Sequence, residues 1–422
     1  MRFPEFEGDW EIPHFSKYIK LYRGSSPRPI VKYITSKDGV NWIKIGDTKN
    51  ASNNIISKVS EKITTDGALK SRKVYKGEII LANSMSFGKT YKLGLDGCIY
   101  DGWFVLREYE GFFEQSFLHQ LLNSELLQKQ YLRLSAGGVV QNISSDIVYQ
   151  TKLSKPNLFE QQKIATFLTK VDQKIDLLQR KKDQLTAYKK GMMQKLFSQE
   201  IRFKDDDGKD FPEWEEKQLG EIATKINSKN TDNSVSRVLT NSAINGVIDQ
   251  SDYFDHDVAN SENLGGYYVI GKGDFVYNPR VSVTAPVGPI KRNNLGKGVM
   301  SPLYTIFRLM SENSDFLNCF FSSSLWHKYM KQVANYGARY DRMAISSNDF
   351  LKLPIPIPHP DEQQKIADYL TALDQKIELT DKKLIQAQTF KKGLLQQMFI
   401  WLWEHFNGKI MEISWLCLNR EV

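Results

Sequence analysis

The feature that most constrains this chain is a long segment that occurs twice. Residues Glu160–Phe197 read EQQKIATFLTKVDQKIDLLQRKKDQLTAYKKGMMQKLF, and residues Glu362–Phe399 read EQQKIADYLTALDQKIELTDKKLIQAQTFKKGLLQQMF. The two segments align without a gap and are identical at about half of their positions. Because the copies lie ~200 residues apart, the repeat indicates duplication of a domain-sized unit rather than a short solenoid repeat.

Weaker echoes extend this duplication over most of the chain. Phe3–Phe6 recurs as Phe211–Trp214, and Lys76–Ile80 recurs as Lys272–Val276. Each half is therefore predicted to be a variable domain followed by a similar helix. The predicted boundaries are a first domain at residues 1–152, a helical segment at 153–200, a second domain at 201–352, a second helical segment at 353–399, and a tail without an assigned role at 400–422.

Apolar residues in both copies follow the alternating four- and three-residue spacing of a heptad seam. The seam of the first copy contains Ile164, Leu168, Val171, Ile175, Leu178, Lys182, Leu185, Lys189, Met192 and Leu196. The seam of the second contains Ile366, Leu370, Leu373, Ile377, Thr380, Leu384, Ala387, Lys391, Leu394 and Met398. We expect two helices about 55–60 Å long that pair as an antiparallel coiled coil. The alternative is that each helix packs only on its own domain.

Helix-start signals precede both copies. Asn157 lies three residues before Glu160, in the arrangement of a capping box, and Pro360 occupies a first helical position. The variable domains combine strand-like runs, such as Glu78–Leu81 and Asp274–Tyr277, with later helical stretches near 113–134 and 314–333. The predicted fold class is therefore α/β, with two globular α/β domains alternating with the two long helices.

The charge balance permits a polyanionic partner. Lys and Arg number 57 against 49 Asp and Glu, which gives a formal charge of +8. Cations suit phosphates, and amide or guanidinium groups suit base edges. We identify polar loop residues of these types as candidate DNA contacts: Lys70, Ser71, Arg72, Lys73, Asn83, Ser84, Ser86 and Lys89 in the first domain, and Asn278, Arg280, Lys291, Arg292, Arg339 and Arg342 in the second.

Familiar catalytic signatures are missing from the sequence. Gly88-Lys89-Thr90 lacks the first glycine of a phosphate-binding loop, and Asn278-Pro279-Arg280 lacks the second proline and the aromatic residue of an amino-methyltransferase motif. The six histidines and three cysteines show no metal-ligand spacing. We therefore expect a cytoplasmic, non-catalytic protein with no metal, no signal peptide and no membrane segment.

This arrangement resembles the specificity subunit of type I restriction-modification systems. The resemblance rests on the two EQQKIA…DQKI helices, their KKG…F endings and the FPE segments that begin each half. It covers about residues 1–399. The first copy departs slightly, because Leu153-Ser154-Lys155-Pro156 replaces the proline-rich run at 353–358.

The resemblance implies that each variable domain reads one half of a split, asymmetric target in double-stranded DNA. It implies that the helices fix the unread spacer and dock two methyltransferase subunits, which motor-nuclease subunits join for cleavage. S-adenosylmethionine, ATP and Mg²⁺ are expected on those partners and not on this chain. Two alternatives stay open: a coiled-coil DNA-binding scaffold without a modification partner, and a self-sufficient DNA enzyme, against which the missing motifs speak.

Overall fold

The computed structural model describes residues 2–84, 88–135, 142–252, 264–335 and 341–399. The chain divides into two compact units, which are Met1–Lys181 together with Thr380–Val422 (unit 1), and Lys182–Leu379 (unit 2). The division falls inside both long helices, so each unit contains the start of one helix and the end of the other. The boundaries drawn from the sequence repeat follow a different criterion and stay a prediction.

Unit 1 contains two mixed sheets and the helices that cover one of them. Its strands are β1 (Lys20–Arg23), β2 (Ile34–Thr35), β3 (Val40–Ile43), β4 (Ile55–Ile56), β5 (Glu61–Ile63), β6 (Arg72–Val74), β7 (Ile79–Ala82), β8 (Thr90–Leu93), β9 (Gly97–Ile99) and β10 (Trp103–Arg107). Its helices are α1 (Thr65–Leu69), α2 (Gln115–Leu122), α3 (Glu125–Leu134), α4 (Ser145–Gln150) and the first part of α5 (Leu158–Phe197).

Strand β7, the central strand of the main sheet of unit 1, is buried on both faces. Helices cover one face and the second sheet covers the other. The sheets have the orders β1-β10-β7-β8-β4 and β2-β5-β3-β9-β6. Along β7, Ile79 and Leu81 join the core shared with α2 and α3, whereas Ile80 and Ala82 join the core on the other face. This two-residue alternation is what strand geometry requires, and it explains why all four residues of β7 are buried.

Unit 2 repeats this plan with a smaller second layer. Its strands are β11 (Glu215–Gln218), β12 (Ala223–Lys225), β13 (Leu239–Ser242), β14 (Gly246–Asp249), β15 (Tyr268–Ile270), β16 (Phe275–Tyr277), β17 (Ile290–Arg292), β18 (Gly298–Met300), β19 (Thr305–Leu309) and β20 (Pro354–Ile357). Its helices are α6 (Leu219–Ile222), α7 (Ser314–Phe321), α8 (His327–Val333), α9 (Ser347–Leu351) and the first part of α10 (Pro360–Phe399).

The main sheet of unit 2 repeats the order of the first four strands in the main sheet of unit 1. It runs β12-β19-β16-β17, which corresponds to β1-β10-β7-β8. Phe275 and Tyr277 face the core that contains α7, and Val276 faces the opposite core, as in β7. The duplication detected in the sequence is therefore also a duplication of topology, and the predicted α/β class is confirmed.

The long helices begin and pair as their sequences predict. Asn157 accepts a hydrogen bond through Oδ1 from the Glu160 backbone N–H at 2.9 Å, and α10 begins at Pro360. All twenty seam positions named above are buried or partly buried. The start of α5 packs in unit 1 with the end of α10, whereas the end of α5 packs in unit 2 with the start of α10. Pairing of starts with ends makes the two helices antiparallel.

The EQQ sequence that opens each copy has a structural role. Glu160 is buried and accepts hydrogen bonds from Arg2 Nε and Nη2 at 2.7 and 2.8 Å. Glu362 is buried likewise and accepts from Arg202 Nε and Nη2 at 3.2 and 2.8 Å. The following glutamines accept the backbone N–H groups at the entrances to α2 and α7. Each EQQ therefore joins a helix start to its own unit.

In the structure, Phe3 corresponds to Phe203 and not to Phe211, the residue with which the repeated FPE sequence pairs it. Phe3 packs on Phe167 with ring centroids 5.9 Å apart, and Phe203 packs on Tyr369 at 5.7 Å. Residues 167 and 369 are equivalent in the repeat, so Arg2-Phe3 occupies the place of Arg202-Phe203. The sequence echo instead pairs Phe3 with Phe211, because the second copy has additional residues between Phe203 and Phe211.

Equivalent ion pairs join the helices in both units. Lys391 Nζ lies 2.6 Å from Asp172 in unit 1, and Lys189 Nζ lies 2.5 Å from Asp374 in unit 2. The side chains of Lys391 and Asp172 are only 20% and 17% exposed. A lysine in an apolar seam specifies the register, because sliding the helices would leave its charge buried without a partner.

We expect Asp172→Lys to lower the free energy of unfolding by about 2 kcal/mol, because it would place two ammonium groups in one partly buried site. The double variant Asp172→Lys with Lys391→Asp restores an ion pair and should recover most of the loss. Urea denaturation of the full chain measures both. Gln173→Lys adds a lysine on the exposed face of the same turn and should change stability little; an equal loss there would rule out the pairing as the cause.

Candidate nucleic-acid interface

In unit 1, the segment after β7 is paired with the segment that precedes α4. The Ile143 backbone N–H donates to Asn83 O at 2.7 Å, and Ser84 forms an antiparallel bridge with Asn142. The Asn83 side chain is buried, and its Nδ2 donates to Asp101 O at 2.8 Å. Asn83 therefore supports the two paired segments from the protein interior, while Ser84 lies at the edge of the surface that these segments form.

In unit 2, the segment after β16 makes the corresponding pairing. The Met343 backbone N–H donates to Pro279 O at 2.9 Å, and Arg280 forms an antiparallel bridge with Arg342. Asn278 uses its Nδ2 to donate to Asn241 O at 3.0 Å, so its amide has a structural role as Asn83 does. The structure thus brings the predicted contacts Arg280 and Arg342 together, on the same backbone scaffold as in unit 1.

Four cations gather in unit 1 around the turn Tyr100–Gly102. Arg72 Nε donates to Arg23 O at 3.2 Å, and Arg23 Nε donates to Asp101 O at 3.3 Å. Arg28 Nη2 lies 3.8 Å from the Asp101 carboxylate. Lys70 O accepts a hydrogen bond from Ser25 Oγ, which places Lys70 beside the same loop. We call Arg23, Arg28, Lys70 and Arg72 the Asp101 cluster.

Local contacts fix the charges of this cluster. The Ser26 hydroxyl donates to the Asp101 carboxylate and lowers the pKa of that group, with smaller contributions from Arg28 and Arg23. Lys70 Nζ donates to the Tyr33 hydroxyl at 2.6 Å, and this contact raises the pKa of Lys70. With Asp101 among them and Asp66 near Lys70, the four cations still leave a net positive surface, which suits the phosphates of a nucleic acid.

Other predicted DNA contacts in the first domain lie outside the Asp101 cluster and the paired segments. Ser71 Oγ donates to Gly67 O at 2.9 Å, so this hydroxyl has an intramolecular partner. Lys73 is exposed on β6, next to Arg72. Lys89 is exposed. The Lys89 carbonyl accepts the Ala82 backbone N–H, which places this residue beside the end of β7 that leads into Asn83. Ser86 and, in the second domain, Arg339 lie outside the described residues.

Lys291 and Arg292 lie at the opposite end of the main sheet from Arg280. On β17, Lys291 pairs with Val276 and Arg292 with Phe275, whereas Arg280 follows the other end of β16. Lys291 is partly buried close to Lys189, and burial followed by the Lys189 charge lowers its pKa. Arg292 Nη1 pairs with Asp315 at 2.7 Å. The structure therefore does not join these two residues to the Arg280–Arg342 pairing.

Sequence reasoning missed Arg23 and Arg28. They lie in the stretch Arg23-Gly24-Ser25-Ser26-Pro27-Arg28-Pro29, whose Gly, Ser, Pro and Arg content is typical of a polar loop. This composition could have identified the segment. Its place beside Tyr100 could not be predicted, because it depends on β1 pairing with β10 across the chain.

The long helices present apolar side chains outside the seam. Leu177 and Tyr188 of α5 are 58% and 52% exposed, and Leu379, Ile385 and Phe390 of α10 are 54%, 55% and 45% exposed. Large apolar side chains that stay exposed on a paired helix are suited to contact with another protein. Leu177 and Leu379 are equivalent positions of the repeat, so the two copies offer partly equivalent surfaces.

The described residues offer few other sites for chemistry. Among them, no group of His, Cys, Asp and Glu side chains is placed to hold a metal ion. Cys98 and Cys319 are buried as free thiols, and burial raises the pKa of each to about 11. In the part of the chain that the structure describes, no helix is both long and apolar enough to cross a bilayer.

Comparison with known proteins assigns the family. The family model described as the type I restriction modification DNA specificity domain matches residues 24–187 and 212–389. The type I restriction enzyme MjaVIII specificity subunit of Methanocaldococcus jannaschii is 25% identical over 418 residues, which cover 94% of this chain and 92% of that protein. The putative MjaX specificity subunit of the same organism is 27% identical over 266 residues, with 58% and 57% covered.

Solved structures share the fold. The crystal structure of the type I restriction-modification S subunit from M. genitalium has a TM-score of 0.56 at 16% identity, with 93% of this chain and 96% of that chain covered. A chain from a study of complex assembly and conformational transition of the type I R-M system has a TM-score of 0.55 at 18% identity, with 93% and 98% covered. With both halves of the chain matched by the family model, the protein belongs to the type I restriction-modification DNA specificity family and is a non-catalytic specificity subunit.

Proposed function

We propose that this subunit reads a split, asymmetric target in double-stranded DNA, with one half read by each unit. The proposal rests on one observation. The same backbone pairing occurs in both units, but it presents different side chains in each. Ser84 lies opposite Asn142 in unit 1, and Arg280 lies opposite Arg342 in unit 2. Hydroxyl and amide groups select different base edges from guanidinium groups. The two half-sites therefore differ in sequence.

Electrostatics supports duplex DNA as the ligand. The Asp101 cluster supplies several cations to one face of unit 1, and Arg280 and Arg342 supply two to one edge of unit 2. Contacts of Lys and Arg with phosphates give affinity and orientation, and they make binding sensitive to salt. Contacts from the paired segments to base edges would then give the sequence preference.

The helices supply the proposed docking surfaces for partners. Two methyltransferase subunits would bind, because the exposed apolar positions Leu177 and Leu379 and the ion pairs of the two units recur as equivalents. Motor-nuclease subunits would join this complex for cleavage. S-adenosylmethionine, ATP and Mg²⁺ would be bound by these partners, and this chain would bind no cofactor itself.

Methylation mapping tests the proposal. In cells that carry this chain and its methyltransferase, we expect methylated adenine at one split motif, and none at that motif when this chain is absent. Exchange of residues 1–152 for the equivalent segment of a related specificity subunit should change only one half of the motif. The reciprocal exchange of residues 201–352 is the matched control and should change only the other half.

Two results would contradict the proposal. If either exchange altered both halves of the motif, the units would not read independently. If the full chain failed to copurify with a methyltransferase and no motif depended on it, the protein would be a DNA-binding scaffold without a modification partner.

A further inference from the structure

A cleft opens in unit 1 beside the paired segments. It has a volume of about 550 Å³ and lies between the end of β1, the turn Tyr100–Gly102, and the segments 83–84 and 142–145. Tyr100 and Tyr149 line its wall, and Arg23 and Asn142 lie at exposed positions of its lining. Arg23 belongs to the Asp101 cluster, so the positive surface and the cleft are continuous.

The residues that follow Asn142 are anchored by hydrogen bonds, whereas its own side-chain amide stays available. Ile143 is buried, and its N–H donates to Asn83 O. Ser144 caps α4 by accepting the Ile147 N–H at 3.3 Å. The Asn142 side chain is exposed and makes no hydrogen bond to the described residues. An asparagine with a structural role would use its amide on nearby backbone, as Asn83 does.

Arg23 is positioned in a similar way. Its Nε donates to Asp101 O, and its carbonyl accepts from Arg72 Nε. Its two Nη groups make no hydrogen bond within the described part of the chain, and the side chain is exposed. The contact of Nε with Asp101 O therefore orients the guanidinium, and its two Nη groups can donate hydrogen bonds to a ligand.

Unit 2 supports a ligand-facing role for position 142. The Met343 N–H donates to Pro279 O as the Ile143 N–H donates to Asn83 O, and both Met343 and Ile143 are buried. Asn142 therefore corresponds in space to Arg342. Asparagine and arginine are the residue types that form bidentate contacts with purine edges, Asn with adenine and Arg with guanine.

We propose that Asn142 and Arg23 are specificity-determining residues, which read an adenine and a guanine respectively in the half-site bound by unit 1. This inference rests on the proposed function, because it requires that unit 1 reads half of a target. The other cations of the Asp101 cluster, Arg28, Lys70 and Arg72, hold the neighbouring phosphates. The cleft provides space for the base edges beside Tyr100 and Tyr149.

The test is methylation mapping with the full chain and its methyltransferase, using Asn142→Ala and Arg23→Ala. Asn142→Ala should relax the motif at one A·T position of one half-site, so that discrimination against other bases there falls about 10- to 100-fold. Arg23→Ala should do the same at one G·C position of that half. The unchanged half-site reports that each variant is folded and assembled.

Gln150→Ala is the matched control, because Gln150 is an exposed residue at the far end of α4 and its side chain makes no hydrogen bond to the described residues. It should leave every position of the motif unchanged. If the wild-type motif is split but Asn142→Ala and Arg23→Ala leave it unchanged, or relax the half read by unit 2, the inference is wrong while the proposed function stands. If the wild-type chain gives no split motif, the proposed function itself fails.

A variant that abolishes methylation is resolved by selecting bound duplexes from a random-sequence pool with the purified complex. Loss of preference at one position supports base reading. Uniformly weaker binding of all duplexes, with a smaller salt dependence, would mean that the residue holds phosphate, and would overturn the inference for that residue.

Discussion

Glu362→Gln is expected to lower the free energy of unfolding of this subunit by about 3 kcal/mol, because the mostly buried Arg202 guanidinium would keep only Glu213, an exposed carboxylate 3.4 Å away, as a counter-charge. The Glu362 carboxylate is buried and accepts three hydrogen bonds, two from Arg202 and one from Trp214 Nε1 at 3.0 Å. The Arg202 side chain is only 18% exposed, so water cannot fully replace the carboxylate. Urea denaturation followed by tryptophan fluorescence measures the change.

Two further variants identify the cause. Glu362→Gln combined with Arg202→Met removes both charges and keeps an acceptor for Trp214, so it should recover a large part of the lost stability. Glu216→Gln changes an exposed carboxylate on β11 and should alter stability by no more than about 0.5 kcal/mol. A loss below about 1 kcal/mol for Glu362→Gln would show that the ion pair does not hold the helix start.

The second large effect is a loss of stability in acid through His119. This histidine is buried in α2, and its Nδ1 lies 3.2 Å from Thr90 Oγ1. Burial lowers its pKa to about 4, and the positive charges of Lys391, Lys92 and Lys89 add to this effect. The unfolded chain binds the proton at a pKa near 6.5, so the folded state is favoured fully above pH 6.5 and progressively loses that advantage towards pH 4.

The size of this loss can be measured at pH 5. With pKa values of about 6.5 unfolded and about 4 folded, His119 costs the folded state about 2 kcal/mol there relative to pH 7. His119→Asn retains a polar partner for Thr90 but cannot be protonated, so its stability should fall about 2 kcal/mol less between pH 7 and pH 5. His14→Asn alters an exposed ring and serves as the control. Equal acid sensitivity of His119→Asn and wild type would contradict this assignment.

The sequence predicted the helices well because their periodicity is long and uninterrupted. The seam residues of α5 and α10 are buried or partly buried over forty residues each. The predicted strands near 78–81 and 274–277 are confirmed within a residue as β7 and β16. Most strands of the second sheet of unit 1 are too short to show an alternation, with two residues in β2 and three in each of β5, β6 and β9, and so this sheet was not predicted.

The sequence could identify interface residues only where suitable side chains also lie in loops that the fold brings together. Arg280 and Arg342 were identified as polar loop residues, and the structure places them opposite each other. Lys291 and Arg292 have the same residue types, yet strand pairing carries them to the other end of the sheet. Asn142 was not identified at all, since nothing in its local sequence distinguishes it from a solvated loop residue.

The division of the chain inside its long helices has a consequence for synthesis. Phe399 packs on Phe117 with ring centroids 5.6 Å apart, and Leu394 and Met398 belong to the same core. The ribosome makes Phe117 about 280 residues before Phe399, an interval on the order of tens of seconds. Unit 2 is a continuous stretch of chain and can complete its core first. The half of the protein that is translated first is therefore the half that finishes folding last, with part of its apolar surface uncovered until the final turns of α10 emerge.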